Sequence, residues 1–356
     1  MQLNEGILQR VGPLDEIAMA AARSRQAQLT KPQGSLGRLE MISIQVAGIT
    51  GQLNPPLEQR AIIIAAGDHG VAAQGVSAYP SEVTPQMVIN FLSGGAGINV
   101  LARQAGARVL VLDAGVAAPL PDHPDLIKAK IAPGTGDISQ GPAMTWDQAV
   151  QSIKIGFAAV EAEIARGLDM VGTGDMGIGN TTPSSAICSA ITGAEPVRVT
   201  GRGTGIGDAT WEHKVAVVEQ ALRVNCPDPT DPLDVLTKVG GFEIGAIAGI
   251  ILGAAAHRIP VLMDGFISTA GALIAAGLSP QSRAYMIAAH RSVEPGHRIT
   301  LDHLGLQPIF DLDLRLGEGT GAALAMPVVA AAVALLNQMA TFEEAGVAGK
   351  KMFAEA

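Results

Sequence analysis

Short apolar runs that end in glycine, aspartate or other polar residues recur along the chain, and they predict buried strands. The runs begin near residues 61, 108, 169, 260 and 284, and they read AIIIAAGDHG, RVLVLDAG, DMVGTGD, PVLMDG and AYMIAAHRS. Continuous apolar runs of this length, without polar alternation, are typical of parallel strands that are covered on both faces. Each run also delivers polar residues at its carboxyl end.

Alanine-rich stretches of helical length separate the predicted strands. Residues 146–167, WDQAVQSIKIGFAAVEAEIARG, keep apolar side chains at three- and four-residue spacing, which predicts an amphipathic helix. The alternation of strands and helices predicts an α/β fold with an open, doubly wound, mainly parallel sheet. In such a sheet the ligand site lies at the carboxyl edge of the strands.

The two ends of the chain lack strand patterns and are predicted to be helical. We expect residues 1–57 and 330–356 to pack together as a small helical domain, and residues 58–329 to form the α/β domain. A chain of 356 residues is long enough for one large α/β domain and such a smaller unit.

Composition narrows the class of partner and the compartment. A formal net charge of -9 and an aromatic content of 3% argue against a nucleic-acid surface, which needs basic patches and stacking rings. Cys188 and Cys226 are far apart and form no CxxC motif, which favours a reducing compartment. The N-terminus, MQLNEGILQRVGPLDE, lacks the features of a signal peptide, so we expect a cytoplasmic protein that acts on a small molecule.

Two apolar stretches test the membrane alternative. Residues 244–257 are too short to span a bilayer, and residues 320–336 are alanine-rich, contain Pro327 and have no basic flank. Both therefore fit buried or interface helices better than membrane spans, and no membrane partner is expected.

The segment 170–185, MVGTGDMGIGNTTPSS, is predicted to bind a phosphate group. Its glycines let backbone N–H groups approach an anion, Asn180, Thr181 and Thr182 add donors, and Pro183 fits the first turn of a following helix. An ordinary strand-to-helix turn is the alternative, but it rarely needs so many small polar residues.

The same segment contains the pattern GxGxxG at Gly172, Gly174 and Gly177, with Glu195 further along. In a dinucleotide fingerprint the acid ends a second apolar strand, whereas Glu195 stands within GAEP and the glycines run into NTT. A mononucleotide is therefore favoured over NAD.

Other polar residues that follow predicted strands also fall at the expected site edge. Asp68, His69, Asp175, Asp264, His290, Ser292 and His297 all belong to this set. Each has an alternative explanation as a turn or cap residue, but their repetition at one edge favours a site. No HxxxH or HExxH motif occurs, so no metal is expected.

Glu318, in LRLGEGTGAALAMP, stands between glycines at the start of an apolar helix. Burial there raises the pKa of a carboxyl group and makes it a better proton acceptor near neutral pH. A helix N-terminus would instead lower that pKa. The sequence leaves both explanations open.

The segment PVLMDGFISTAGAL from 260 resembles a pyrophosphoribose-phosphate loop that has lost one of its two acids. Only Asp264 is present, which leaves little to hold ribose hydroxyls together with a magnesium pyrophosphate. That substrate is disfavoured.

Taken together, GDHGV, GDMGIGNTTPSSAI, GRGTGI, HRSVEPGH and RLGEGTGAALA resemble the nicotinate-nucleotide–dimethylbenzimidazole phosphoribosyltransferase family, and TKPQGSLGRLE at 30–40 resembles its N-terminal signature. The resemblance covers almost the whole chain. It implies a Rossmann-like large domain, a small domain from both chain ends, and a homodimer. It also implies transfer of phosphoribose from nicotinate mononucleotide to 5,6-dimethylbenzimidazole without a cofactor.

The resemblance also implies roles for individual residues. Glu318 matches the catalytic base, and Asp175 is expected to support the ribose or the charge that develops at C1′. Ser292 is expected to contact the nicotinate carboxylate, and Asp264 is a further substrate-binding candidate. The expected phosphate contacts are Gly177, Gly179, Asn180, Thr181, Thr182, Gly203, Gly205 and Lys214. Tyr79 and Gln86 are expected to line the benzimidazole pocket.

One residue departs from the family pattern: the loop reads GDMGIGNTT here rather than GEMGIGNTT, so Asp175 is one methylene shorter. Two alternative functions stay open on sequence grounds. A dinucleotide-dependent oxidoreductase would use GTGDMG as its fingerprint, and a non-catalytic nucleotide sensor would keep GIGNTT without needing Glu318.

Overall fold

The computed structural model describes residues 5–348, and its centre is a parallel sheet in the order β3-β2-β1-β4-β5-β6. All five sheet pairings are parallel, and the order is that of a doubly wound Rossmann-like sheet. The predicted fold class is confirmed. The strands are β1 (Arg60–Gly67), β2 (Ala107–Gly115), β3 (Leu126–Lys128), β4 (Met170–Met176), β5 (Val261–Met263) and β6 (Met286–Ala288).

Each predicted apolar run forms a strand, but the structure contains additional short strands. The run from 284 divides into β6 and a second strand, β7 (His290–Arg291), which pairs in parallel with β8 (Phe310–Asp311). β3 and β8 were not predicted, because strands of three and two residues carry too little apolar pattern to be recognised.

The central strand separates two hydrophobic cores. Along β1, Ala61, Ile63 and Ala65 face one core, and Ile62 and Ile64 face the other. Successive strand side chains point to opposite faces, so this alternation means that helices cover both sides of the sheet.

Fourteen α-helices surround the sheet within the described residues. They are α1 (Glu5–Gln9), α2 (Glu16–Gln28), α3 (Arg38–Thr50), α4 (Val83–Leu92), α5 (Gly97–Ala105), α6 (Trp146–Ile164), α7 (Thr181–Thr192), α8 (Pro196–Val199), α9 (Asp208–Asn225), α10 (Pro232–Val239), α11 (Phe242–Ala256), α12 (Phe266–Leu278), α13 (Pro295–Leu304) and α14 (Thr320–Gln338).

The helix predicted at 146–167 is α6, and its boundary follows from its sequence. Thr145 accepts the N–H of Gln148 through its hydroxyl, and the Gln148 side chain accepts the N–H of Thr145. This capping box fixes where the helix begins.

Helices α6 and α11 pack at very short range because glycines lie at their contact. A Cβ at Gly156 would lie 1.9 Å from the carbonyl oxygen of Ala246, and a Cβ at Gly249 would lie 1.9 Å from that of Ile153. Residues 242–255 of α11 are buried. The stretch at 244–257 is therefore a core helix.

Helix α14 is long and apolar enough to cross a membrane by length and composition, and 56% of it is buried inside the protein. It packs on α3, α5, β4 and β5, and its last turn meets α2. There Arg25 of α2 donates to the carbonyl oxygens of Leu336 and Asn337.

The chain ends contact each other, and Leu29 pairs with Thr341 in an isolated antiparallel bridge. Helix α14 nevertheless continues through the predicted domain boundary at 330. The division into 1–57 with 330–356 and 58–329 stays a prediction, and residues 1–4 and 349–356 lie outside the described residues.

Candidate active site

A cleft opens at the carboxyl edge of the sheet, beside neighbouring strands β1 and β4. Their connections leave in opposite directions, to β2 on one side and to β5 on the other, so this is the switch point where doubly wound sheets bind ligands. The lining includes these predicted site residues: Asp175, Gly177, Gly179, Asn180, Thr181, Gly203, Lys214 and Ser292.

The glycine-rich loop runs from the end of β4 into α7 and presents backbone donors. Within residues 5–348, the N–H groups of Gly177, Gly179 and Thr181 have no hydrogen-bond acceptor. The N–H of Ile178 donates to the Thr84 hydroxyl at 3.1 Å. Free N–H groups at a helix N-terminus are suited to bind an anion, and the phosphate site expected in this segment stays a prediction.

The loop is squeezed against β1, which explains why it needs glycine. A Cβ at Gly177 would lie 2.3 Å from the carbonyl oxygen of Gly67 and 3.2 Å from His69 Nε2. His69 itself lies 2.8 Å from a buried carboxylate oxygen of Glu243 at the start of α11. The buried His69–Glu243 pair therefore packs directly against the glycine-rich loop.

Lys214 brings a positive charge to the same loop. Its ammonium donates to the Thr181 hydroxyl at 2.7 Å, and the residue is 1% exposed. Burial lowers the pKa of Lys214 to about 8, while the nearby Glu294 carboxylate opposes that shift. The side chain is therefore largely protonated at neutral pH and is placed to bind an anion.

Asp175 lies at the end of β4, and its carboxyl group is buried among other acids. One oxygen accepts a hydrogen bond from the Asn180 amide at 2.9 Å, and the other has no partner among residues 5–348. Burial raises the pKa of Asp175 to about 8, and Asp264, Glu243 and Glu318 add to the rise while Asn180 opposes it. Asp175 is thus protonated in the free protein at neutral pH.

Glu318 is not itself part of the cleft lining but follows the lining residue Gly317, and it has a left-handed conformation with φ of 64°. Its Oε2 accepts the N–H of Ile98, in the first turn of α5, at 3.2 Å. Burial raises the pKa of Glu318, the Ile98 N–H lowers it, and Asp264 raises it; the net shift is upward. Burial therefore wins over the lowering effect, which comes from the first turn of α5 and not from the helix after Glu318 that the sequence suggested.

Strand β4 runs very close to the backbone of Glu318. A Cβ at Gly174 would lie 2.5 Å from the Glu318 carbonyl oxygen, and a Cβ at Gly317 would lie 3.2 Å from Asp175 Oδ1. The glycines of GTGDMG and GEGTG thus let the Asp175 and Glu318 segments meet.

These contacts also explain the dinucleotide-like pattern. Gly172 and Gly174 lie inside β4, and a Cβ at Gly172 would lie 2.4 Å from the Ile62 side chain. Both glycines serve internal packing, and Glu195 is an exposed residue that precedes the short helix α8. A strand, a turn and a helix are present, but the first two glycines of the GxGxxG pattern lie in the strand and not in the turn where a dinucleotide fingerprint needs them.

Asp264 lies behind the cleft, where it anchors the Glu318 segment. Its carboxylate accepts the N–H groups of Gly319, Gly321 and Ala322 at 3.1, 2.7 and 3.3 Å. The residue is 1% exposed and does not line the cleft. Asp264 therefore holds the Glu318 segment in place, and the substrate contact expected from the sequence stays a prediction.

Four other predicted residues lie outside the cleft lining. Thr182 is buried in α7, and Gly205 lines a neighbouring groove with Arg202 and Trp211. Tyr79 is exposed just before α4, and Gln86 is exposed in the first turn of that helix. Their segment still reaches the cleft, because Ser77 lines it.

Several cleft residues were missed or left unassigned by the sequence. Glu294 and Arg315 stand within HRSVEPGH and just before LGEGTG, so each adjoins a recognised motif, whereas Phe266 had no signal. His290 lines the cleft; its Nε2 lies 3.5 Å from Asp264 Oδ1, and neither ring nitrogen makes a hydrogen bond among residues 5–348. Its neighbour His297 is neutral, because burial lowers its pKa to about 3, and it accepts the Ser292 N–H at 2.9 Å.

No group of three or more His, Cys, Asp or Glu side chains is arranged to hold a metal ion within residues 5–348. The sequence prediction of no metal remains a prediction about the working protein.

Comparison with known proteins gives consistent results. A family model described as phosphoribosyltransferase matches residues 11–347. A nicotinate-nucleotide–dimethylbenzimidazole phosphoribosyltransferase from Roseiflexus castenholzii is 60% identical over 350 residues, covering 98% of this chain and 99% of that protein. One from Chloroflexus aggregans is 59% identical over 351 residues, covering 99% of each.

A solved structure shows the same likeness in three dimensions. The crystal structure of nicotinate-nucleotide–dimethylbenzimidazole phosphoribosyltransferase from Thermus thermophilus superposes with a TM-score of 0.90 at 48% identity. The match covers 95% of this chain and 100% of that one. With the switch-point cleft, the glycine-rich loop and Glu318 in place, the chain belongs to the nicotinate-nucleotide–dimethylbenzimidazole phosphoribosyltransferase family.

Proposed function

We propose that the protein transfers the phosphoribosyl group of nicotinate mononucleotide to 5,6-dimethylbenzimidazole. The products are α-ribazole 5′-phosphate and nicotinate, in the synthesis of the lower ligand of cobalamin. The observation that carries the proposal is the juxtaposition of two features: a glycine-rich anion loop on one side of the cleft and a buried carboxylate of raised pKa, Glu318, beside it.

The phosphate group is proposed to bind at the N-terminus of α7. The unpartnered N–H groups of Gly177, Gly179 and Thr181 supply donors, and Lys214 supplies the charge. Phosphate oxygens accept charge-assisted hydrogen bonds from such groups strongly, which fixes the ribose relative to the base site.

Glu318 is proposed to act as the base. Nicotinate mononucleotide already carries a cationic pyridinium, so the C1′–N bond breaks with its electron pair on the departing nicotinate and needs no proton donor. A benzimidazole nitrogen forms the new bond to C1′ from the opposite face, which inverts the configuration from β to α. Glu318 accepts the proton from the other ring nitrogen, and its raised pKa suits it to that step.

Asp175 is proposed to assist the ribose rather than to take the proton. Its pKa of about 8 means that the neutral acid is the main form at pH 7, which can donate a hydrogen bond to a ribose oxygen. Ser292 is proposed to contact the nicotinate carboxylate, and Tyr79 with Gln86 to border the benzimidazole.

The proposed reaction is tested directly by mixing the protein with both substrates. We expect mass spectrometry to detect α-ribazole 5′-phosphate and nicotinate in equal amounts. The two alternatives predict other results: an oxidoreductase would bind NADH tightly in a fluorescence titration, and a sensor would bind the nucleotide without turnover. Absence of the azole nucleotide at saturating substrates would reject the proposal.

We further propose that the protein works as a cytoplasmic homodimer with the two-domain division given above. The family resemblance supports this assignment. Analytical ultracentrifugation at micromolar concentration tests the dimer, since a single species of 36.4 kDa would contradict it.

A further inference from the structure

Glu294 places a carboxyl group in the cleft, at one of the backbone donors proposed to bind the phosphate. Its Oε1 accepts the N–H of Gly203 at 2.9 Å, and the sequence had assigned that same glycine to the phosphate. The residue lines the cleft together with Lys214 and Arg315. A negative side chain therefore already occupies one of the donors expected to bind an anion.

The carboxylate is held in place by the backbone around it. A Cβ at Gly201 would lie 2.0 Å from Glu294 Oε2, so that residue must be glycine for the carboxylate to fit. Oε2 is buried without a hydrogen-bond partner among residues 5–348, and the residue is 6% exposed. One oxygen is thus satisfied and the other is not.

The surroundings of Glu294 are positive. A Cβ at Gly203 would lie 3.4 Å from Lys214 Nζ, and Arg315 donates to the Gly203 carbonyl oxygen at 3.3 Å. Burial raises the pKa of Glu294; Lys214, the Gly203 N–H and Arg315 oppose that rise, and the net shift is upward. In the free protein the carboxylate stands where a phosphate oxygen would gain most.

A phosphate oxygen and Glu294 cannot both take the Gly203 N–H, and two anions beside Lys214 repel each other. We propose that Glu294 is a resident anion in the phosphate site, which an incoming phosphate displaces from Gly203, so that the site selects doubly charged phosphate monoesters over singly charged diesters. The inference rests on the proposed function, because it concerns the phosphate of the same nucleotide.

The selection follows from charge. A phosphate monoester carries close to two negative charges at neutral pH, whereas a diester carries one. Only the monoester carries more negative charge than the Glu294 carboxylate that it replaces beside Lys214 and Arg315. Glu294 is therefore a specificity-determining residue and takes no part in the proton transfer.

The test compares wild type with Glu294→Gln, which keeps an oxygen for the Gly203 N–H but removes the charge. Isothermal titration at pH 6.5, where Lys214 stays protonated, measures nicotinate mononucleotide, its phosphate methyl ester and nicotinate riboside. We expect Glu294→Gln to bind the mononucleotide roughly tenfold more tightly and to gain more for the ester, which cannot displace the carboxylate in wild type, so that the preference for the monoester falls. Binding of the riboside, which lacks the phosphate, should not change.

The opposite results overturn the proposal. Equal or weaker mononucleotide binding by Glu294→Gln means that the carboxylate only holds the 201–205 loop, a role that Glu294→Ala would expose as a loss in all three ligands.

Inorganic phosphate, titrated in parallel, separates this inference from the proposed function. If wild type binds no nicotinate mononucleotide, the proposed function fails, and tighter phosphate binding by Glu294→Gln still supports the displacement. Unchanged, weaker or absent phosphate binding in that variant overturns it.

Discussion

Replacing Asp175 by Asn is expected to stabilise the fold in a pH-dependent way. The carboxyl group is buried near Asp264, Glu243 and Glu318, which together with burial raise its pKa from 3.8 to about 8. The folded protein therefore keeps Asp175 protonated at a pH where the unfolded chain has released the proton. The cost of that mismatch disappears in the isosteric amide, which can still accept a hydrogen bond from Asn180.

The size and sign of the effect follow from the two pKa values. Below pH 3.8 the folded and unfolded states both hold the proton, so Asp175 does not lower the free energy of unfolding. As the pH rises from 3.8 to about 8, wild type loses stability relative to the variant by about 1.4 kcal/mol per pH unit. At pH 7 the variant should be more stable by about 4 kcal/mol, an upper value because relaxation and water entry reduce it.

Urea unfolding monitored by the fluorescence of Trp146 and Trp211 measures the difference at pH 4.5, 6 and 7.5 at one fixed protein concentration. Asp302→Asn is the control, since Asp302 is an exposed carboxylate on α13. Its difference from wild type should not change with pH. A difference for Asp175→Asn that is equally flat, or that shrinks as pH rises, would refute the assignment of a protonated, buried Asp175.

Three further outcomes are expected. Asp175→Asn should lower kcat less than Glu318→Gln does, and loss of turnover in Asp175→Asn with activity kept in Glu318→Gln would reverse the two roles. Asp175→Glu should be tolerated because Gly317 leaves room beside the carboxylate. EDTA should leave kcat unchanged, and activity that is lost and then restored by Mg²⁺ would contradict this. Gly174→Ala should strongly reduce kcat because its Cβ would lie 2.5 Å from the Glu318 carbonyl oxygen, whereas Gly141→Ala, with no atom within 4 Å, should keep it.

The sheet was predictable because its signal is local. The runs that form β1, β2 and β4 are long and apolar, and their carboxyl ends meet at one edge whatever the connections do. β3 and β8 pair through backbone hydrogen bonds of short segments that leave no apolar pattern. β3 follows β2 after an irregular loop, and β8 pairs with β7 across the intervening α13, so neither pairing is marked by a local pattern.

The site was predictable in its motifs and less so in its contacts. The glycine-rich loop and Glu318 are visible in the sequence, but the balance that sets the Glu318 pKa depends on Ile98, 220 residues away. The sequence does not distinguish glycines that admit a ligand from glycines that pack against protein, and Gly172 and Gly174 are of the second kind. Glu294 was passed over because its partner, Gly203, lies 91 residues away along the chain.

In the proposed mechanism Glu318 removes the azole proton during phosphoribosyl transfer. The rate of α-ribazole 5′-phosphate formation by Glu318→Gln at saturating substrates, measured beside its affinity for nicotinate mononucleotide, tests this role. We expect kcat to fall by roughly 10²-fold or more while that affinity is retained, because the amide keeps the shape and loses the basicity. Turnover close to that of wild type would contradict it.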